Sequence, residues 1–163
     1  MNIRYTNRFS HLWLFHSLHQ LRSPLVQGFV VLFAAFFAYS TATGSKCGGG
    51  HCVGLGVFAF VILYTVIMGI QLIFNGLYLY SRKNRTVLTE HLLEIRADGV
   101  YEETSYNKSL LLWPGIFKVV ELPGLVAIYN TPHSALIIPV AAFGSNDARA
   151  SFVSLLKERL SAV

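Results

Sequence analysis

The residue types best suited to reactive chemistry lie together in one short segment, GSKCGGGHC, at residues 44–52. This segment holds both cysteines of the chain, Cys47 and Cys52, and one histidine, His51. The segment is predicted to lie outside a bacterial-type membrane. That compartment is oxidising, so two cysteines there form a disulfide by default. Three consecutive glycines give the backbone the freedom that so small a ring needs. The segment therefore predicts a structural Cys47–Cys52 disulfide.

Two alternatives stay open for the same segment. The cysteines are free thiols in one of them, and in the other Cys47, His51 and Cys52 bind a zinc or copper ion, as thiolate and imidazole groups do. A single tetrahedral ion is awkward to bind through adjacent His51 and Cys52, and the sequence offers no fourth ligand nearby. We therefore predict no resident metal and no other cofactor.

A second candidate for metal binding is a set of histidines near the beginning of the chain, His11, His16 and His19. His16 and His19 are three residues apart and share one side of a helix, but no carboxylate or thiol is near them in sequence. The surrounding residues 8–22 read RFSHLWLFHSLHQLR, with apolar residues at helical spacing. We interpret this segment as an amphipathic helix that lies in the membrane interface, with Trp13 at headgroup level.

No set of nucleophile, base and orienting residue can be assembled from the sequence. Glu102 and Glu103 are adjacent on a predicted strand, so their side chains point to opposite faces and cannot form a paired acid–base site. His133 follows a proline in a predicted turn, which favours a solvated loop position. Neither GxxxxGK[ST] nor GxGxxG occurs in the chain. We therefore predict that the protein is not an enzyme.

The elements that position these residues include two apolar segments, residues 25–42 and 53–80, that contain no Asp, Glu, Lys or Arg. A helix that spans a bilayer needs about 20 mostly apolar residues, so both segments qualify as transmembrane helices. A secretory signal peptide is the alternative for the first segment. Its apolar region is normally about 7–15 residues behind a short leader, whereas here the run is longer and 24 residues precede it.

Charge divides the chain and predicts its topology. Up to Thr89 there are seven basic residues and no acids, and all eight acids follow from Glu90 onward. Six of those seven bases flank the outer ends of the two apolar segments, whereas the connecting loop contains only Lys46. The positive-inside rule then predicts a bacterial inner-membrane protein with both termini in the cytoplasm and the loop outside. Since the bases cluster beside the spans, the net charge of +5 does not indicate nucleic-acid binding.

The residues on either side of the spans are predicted to form the soluble part. Residues 85–163 contain about six short strands separated by turn signals such as Asp98-Gly99, which indicates a meander that closes into a barrel or curved sheet. Gly144 ends this pattern, and a helix capped by Ser145 or Asn146 runs to about residue 161. In the arm at residues 1–24, Ile3 and Tyr5 alternate with polar residues, so this arm can supply a further strand.

The chain resembles the YcxB-like bacterial membrane proteins. The resemblance rests on an N-terminal arm before two spans, the motif RADGVYEE, a Trp before a turn (Trp113), the segment IIPVAAF and a closing helix. It implies an α+β membrane protein: a two-helix transmembrane hairpin with a small pleckstrin-homology-like antiparallel β-domain, closed by a C-terminal helix. The expected structural core residues are Trp113, Pro139, Phe143 and Phe152. The resemblance implies a fold and no activity.

Three functions remain open from the sequence. The first is a non-catalytic membrane protein whose cytoplasmic domain binds a protein segment or a lipid headgroup. The second is an accessory subunit whose spans pack in a larger membrane complex or a homo-oligomer. The third is a redox or metal-handling protein that works through the loop with Cys47, His51 and Cys52. The partners expected in the first two cases are the lipid bilayer and a protein, with no nucleic acid.

Overall fold

The computed structural model describes residues 1–44, 50–80 and 86–162. The chain divides into two compact units. One consists of Met1–Phe15 with Leu79–Val163, and the other is His16–Tyr78. The predicted Cys47–Cys52 disulfide and its metal-binding alternative both require Cys47, which lies outside the described residues. Both stay predictions.

The helical unit contains the two long apolar helices, α2 (Pro24–Gly44) and α3 (Gly50–Leu79), which form a hairpin. They correspond closely to the two predicted spans, and both are long and apolar enough to cross a membrane. The preceding helix α1 (Phe9–Arg22) ends just before Ser23-Pro24, because the residue before a proline avoids the helical region. Most large apolar side chains on α2 and α3 are exposed, as expected for surfaces that face lipid.

Small residues allow the two helices of the hairpin to approach closely. Ala34 is fully buried. A side chain added at Gly56 would lie 3.4 Å from the Ala38 carbonyl oxygen and 3.3 Å from the Ala42 Cβ atom. The alanines at 34, 38 and 42 therefore form the small-residue surface of α2 that packs against α3, as such surfaces do in membrane helices.

Polar side chains make additional contacts inside the helical unit. The Tyr64 hydroxyl donates a hydrogen bond of 2.7 Å to Gln27 Oε1. Asn75 Nδ2 donates a bond of 2.6 Å to Gln20 Oε1, and Gln27 Nε2 donates to the Gln20 carbonyl oxygen at 3.2 Å. The hydrogen-bond partner of Asn75 therefore lies on α1. Interhelical bonds of this kind contribute about 0.6–2 kcal/mol each in membrane proteins.

In the other unit, the described residues form seven antiparallel strands in two sheets. The first sheet has the order β1-β2-β3-β4 and contains β1 (Asn2–Thr6), β2 (Glu90–Ile95), β3 (Gly99–Thr104) and β4 (Lys108–Leu112). The second has the order β5-β6-β7 and contains β5 (Lys118–Leu122), β6 (Leu125–Thr131) and β7 (Ser134–Pro139). Strand β1 pairs with β2 in the register Tyr5↔His91, so the arm supplies an edge strand.

The division into two sheets corrects the expectation of one continuous meander. Trp113, Pro114 and Gly115 form a 3₁₀ turn between β4 and β5, and Pro114 has no backbone N–H to extend a strand ladder. Instead, the Ile116 N–H bonds to the Trp113 carbonyl oxygen at 3.0 Å. The chain therefore leaves the first sheet at Trp113 and begins the second one at Lys118.

The core of this unit lies between the two sheets and helix α4 (Asn146–Ser161). Phe152 on α4 is fully buried, and its ring is 5.3 Å from that of Phe143, measured between centroids. Trp113 is also buried, and its indole Nε1 donates a 2.9 Å bond to the Ala97 carbonyl oxygen. Pro139 is buried at the end of β7. The expected core residues therefore all lie in the interior of the unit.

Candidate functional site

Strand β1 presents two different faces, and each carries polar residues. Ile3 and Tyr5 are buried, whereas Arg4 and Thr6 are exposed, which is the alternation that a strand covering a core must have. Asn7 follows the strand and is also buried. A buried polar cluster lies on the inner side of β1, and a basic groove lies beside the strand.

The buried polar cluster is centred on His91 of β2, which is only 4% exposed. Its Nδ1 lies 2.9 Å from Glu102 Oε1 on β3, and its Nε2 lies 3.0 Å from the Val87 carbonyl oxygen. The Tyr5 ring stacks on the imidazole with a centroid distance of 5.1 Å and an interplanar angle of 4°. The Glu102 carboxylate and the Val87 carbonyl oxygen are both acceptors, so the doubly protonated cation can donate to each of them.

The surroundings of His91 act on its pKa in opposite directions. Burial lowers the pKa, but the hydrogen bonds to the Glu102 carboxylate and the Val87 carbonyl oxygen raise it, and the net shift is upward. Burial and the charge of Glu102 also raise the pKa of the Tyr5 phenol, which keeps the phenol neutral. The cluster is thus a hydrogen-bonded His91–Glu102 pair stacked against the Tyr5 ring.

Asn7 connects this cluster to the second sheet. Its Nδ2 donates a 3.4 Å bond to the Ile137 carbonyl oxygen on β7 and lies 3.4 Å from His91 Nε2. Among the described residues, Asn7 Oδ1 and the Tyr5 hydroxyl are buried without a hydrogen-bond partner. The imidazole is too buried to meet a substrate, so the cluster is an anchor that fixes β1 to the rest of the domain.

The anchor predicts a pH dependence of stability. The pKa of His91 is higher in the folded state than its unfolded value of about 6.5. Protonated His91 therefore stabilises the fold below about pH 6.5. This stabilisation is lost as the pH rises through the raised pKa. We expect the melting temperature of the full-length protein in detergent to fall as the pH rises above about 6.5, and His91→Gln to flatten this decline. His133→Gln, a change on an exposed turn, is the matched control. A decline of unchanged size in His91→Gln would exclude His91 as its cause.

The basic groove lies beside β1 and the 3₁₀ turn that follows β7, and it has a volume of about 370 Å³. Its polar lining consists of Arg4, Tyr5, Thr6, Arg8 and His11, and its apolar lining consists of Pro139, Ala141 and Ala142. None of the described residues that line it is acidic. A neighbouring, smaller pocket of about 220 Å³ shares Arg4 but is also lined by Glu90 and Glu103. Only the larger groove has a lining of one charge sign.

His11 contributes a hydrogen-bond donor to this groove. Its Nδ1 accepts a 3.2 Å bond from the Arg8 backbone N–H. Burial and the nearby Arg8 charge lower the pKa of His11, so the neutral imidazole prevails and carries its proton on Nε2. The two guanidinium groups and this N–H are all donors. The groove therefore suits a ligand that only accepts hydrogen bonds, such as a phosphate or a carboxylate.

Arg4 also has a partner outside the groove. Its Nη1 lies 3.5 Å from Glu90 Oε1, and the two side chains are 66% and 56% exposed. An ion pair with this much solvent exposure is worth little, typically 0–1 kcal/mol. Arg4 can therefore exchange Glu90 for a ligand in the groove at small cost.

The residues singled out in the sequence take other positions. His51 and Cys52 lie in the first turn of α3. Glu102 and Glu103 point apart, Glu102 to His91 and Glu103 to Lys108 at 2.8 Å. In the described part of the chain, no group of three or more His, Cys, Asp or Glu residues is arranged to bind a metal ion.

Neither the buried polar cluster nor the basic groove was predicted from the sequence. The pattern EHLLEI places His91 on the same face as Leu93, between apolar neighbours, and this was the one available signal. The groove combines residues 4–11 with residues 139–142, which are far apart in sequence.

Comparison with known proteins gives one match. Residues 95–156 match the family model described as YcxB-like protein. The chain therefore contains a YcxB-like domain, which extends from the end of β2 into α4. No curated protein and no solved structure matches the chain.

Proposed function

We propose that the chain, with its YcxB-like domain at residues 95–156, is a non-catalytic membrane protein that presents a cytoplasmic interaction module. In this proposal, the hairpin of α2 and α3 spans the bacterial inner membrane. The domain outside the spans has a pleckstrin-homology-like fold and binds an anionic group of a partner in the basic groove.

The observation that carries the proposal is the pairing of β1 with β2. These strands form one sheet, yet the two apolar helices lie between them in sequence. The residues before α2 and after α3 must therefore be on the same side of any membrane that the hairpin crosses. The positive-inside rule then favours the cytoplasm, because six of the first seven basic residues flank these ends.

The fold supports the assignment of the domain to the pleckstrin-homology-like class. A four-stranded and a three-stranded antiparallel sheet enclose one core, and the C-terminal helix α4 packs on it. Ser145 caps this helix by accepting a 3.1 Å bond from the Ala148 N–H. The groove with its three donors supports binding, and the burial of His91 argues against catalysis by the His91–Glu102 pair.

Topology provides the first test. We expect a reporter that is active only in the cytoplasm to be active when fused after residue 163 and inactive when inserted within residues 44–52. A periplasmic reporter at the same two positions should show the opposite pattern. An extracytoplasmic C-terminus would overturn the proposal, as would a loop that lies on the same side as the C-terminus.

A second candidate function is an accessory subunit of a larger membrane complex. It is favoured by the surface of α3 that includes Thr65, which is exposed, and Gly69, where an added side chain would meet no atom within 4 Å. Small residues on such a surface allow another helix to approach. Purification in mild detergent followed by mass spectrometry distinguishes the two functions. A stoichiometric protein partner supports the subunit, and a stable isolated chain supports the interaction module.

A further inference from the structure

We propose that the basic groove of Arg4, Arg8 and His11 binds the phosphate of an anionic phospholipid headgroup. This inference rests on the proposed function, since it requires the domain to lie at the membrane surface. It names the ligand class of the groove and the source of that ligand, which is the bilayer in which the protein resides.

The chemistry of the groove fits a phosphate. The two guanidinium groups present paired N–H donors in the planar arrangement that matches phosphate oxygens. The neutral His11, with Nδ1 occupied by the Arg8 N–H, adds a further donor at Nε2. No described carboxylate lines the groove, and the exposed Glu90 that pairs with Arg4 from outside it holds this guanidinium only weakly.

The size of the groove fits a headgroup better than a bare phosphate ion. Its volume of about 370 Å³ lies at the lower end of the range for small-molecule sites, which is about 300–1,000 Å³. The apolar side, with Pro139 and Ala142, can contact the carbon atoms of the headgroup and glycerol. A phosphate alone would leave this apolar side without a partner.

Aromatic residues beside the groove favour a lipid over an acidic protein segment. The Phe9 ring, directly after Arg8, meets the Tyr80 ring edge to face at 6.2 Å between centroids. Tyr80 directly follows α3 and is 81% exposed. Trp13, one turn after Phe9, is 39% exposed. Exposed aromatic rings at the end of a span are typical of the membrane interface. Phe9, the first residue of α1 and the neighbour of Arg8, is thus in contact with Tyr80, the residue after α3.

The test uses the full-length protein in nanodiscs of phosphatidylcholine, which provides no anionic headgroup. A water-soluble short-chain phosphatidylglycerol is titrated in. Short-chain phosphatidylcholine, inorganic phosphate and an acidic hexapeptide serve as the comparison ligands. The readouts are the dissociation constant and the pKa of His11, followed by NMR of protein labelled at histidine. Bound phosphate should raise the pKa of His11, because an anion beside the imidazole favours its protonated form.

We expect phosphatidylglycerol to bind more tightly than every comparison ligand. Arg8→Gln and Arg4→Gln should each weaken it roughly tenfold or more, the effect expected of a lost charge-assisted hydrogen bond. Arg159→Gln on the exposed part of α4 removes the same charge elsewhere and should leave binding unchanged. Arg8→Lys keeps the charge without the paired donors and should bind with intermediate affinity. Melting temperatures equal to that of the unmodified protein show that the variants are folded.

Several results would overturn the inference. Inorganic phosphate that binds as tightly as phosphatidylglycerol would identify a site for the free ion. An acidic peptide that binds more tightly would identify a protein partner. If Arg159→Gln weakened the binding of phosphatidylglycerol as much as Arg8→Gln, net charge alone would explain the binding. If none of the ligands binds while the reporters place both termini in the cytoplasm, the lipid inference fails and the proposed topology stands.

Discussion

Truncation of Phe152 to alanine is expected to lower the free energy of unfolding of the full-length protein by about 3–5 kcal/mol, the usual cost of removing a buried aromatic ring. Phe152 lies on α4, where it is fully buried against the two sheets and packs on Phe143. Removal of its ring leaves a cavity and separates α4 from the strands that it covers. A loss of this size is a large share of the stability of a small domain.

The matched control for this change is Phe117→Ala. Phe117 is 57% exposed in the segment before β5, so its loss should cost less than about 1 kcal/mol. Thermal unfolding in detergent, followed by near-ultraviolet circular dichroism, measures both variants. Trp113→Ala should resemble Phe152→Ala, since it also removes the bond to the Ala97 carbonyl oxygen. Equal melting temperatures for Phe152→Ala and Phe117→Ala would disprove the described core.

A single methyl group added by Gly99→Ala is also expected to destabilise the folded protein. A Cβ atom added to Gly99 at the start of β3 would overlap the carbonyl oxygen of Leu111 and approach the Leu112 Cα atom to 2.8 Å. These are backbone atoms of β4, so they cannot move aside as the tip of a side chain can. The β3–β4 pairing must separate locally. Overpacking of this kind typically costs about 1–3 kcal/mol and occasionally more.

Gly144→Ala provides the comparison for Gly99→Ala. An added Cβ atom at Gly144 would meet no atom within 4 Å. Neither glycine has a positive φ, so backbone strain does not separate the two changes. We expect Gly144→Ala to leave the melting temperature within a few degrees of the unmodified protein, and Gly99→Ala to lower it clearly. A neutral Gly99→Ala would show that β3 and β4 pair less closely than described.

The elements of this protein follow from local sequence patterns, whereas its sites do not. Charge-free apolar runs predicted α2 and α3 to within a few residues, because a span must satisfy length and composition together. Turn residues such as Asp98-Gly99 delimited the strands, and Ser145 marked the start of α4. The prediction of a meander was wrong about the division into two sheets. Pro114 has no backbone N–H to extend the hydrogen-bond ladder between strands, and strand periodicity does not reveal this.

The two polar sites depend on contacts between distant parts of the chain. His91 acquires its role from Tyr5 and Glu102, which only the order of strands in the first sheet brings to it. The groove depends on the 3₁₀ turn after β7 lying beside β1. A sequence shows which residues alternate along one strand, but it does not show which strand becomes the neighbour.

The separation of β1 from β2 along the chain has a consequence for biogenesis. During synthesis β1 leaves the ribosome first, and its partner β2 follows only after both apolar helices have been made. The edge of the first sheet therefore cannot be completed until the hairpin has been synthesised. A chain in which only one helix crossed the bilayer would leave β1 and β2 in different compartments, with Leu93 and His91 uncovered. The first sheet can thus form only in a chain whose β1 and β2 lie on the same side of the helical hairpin.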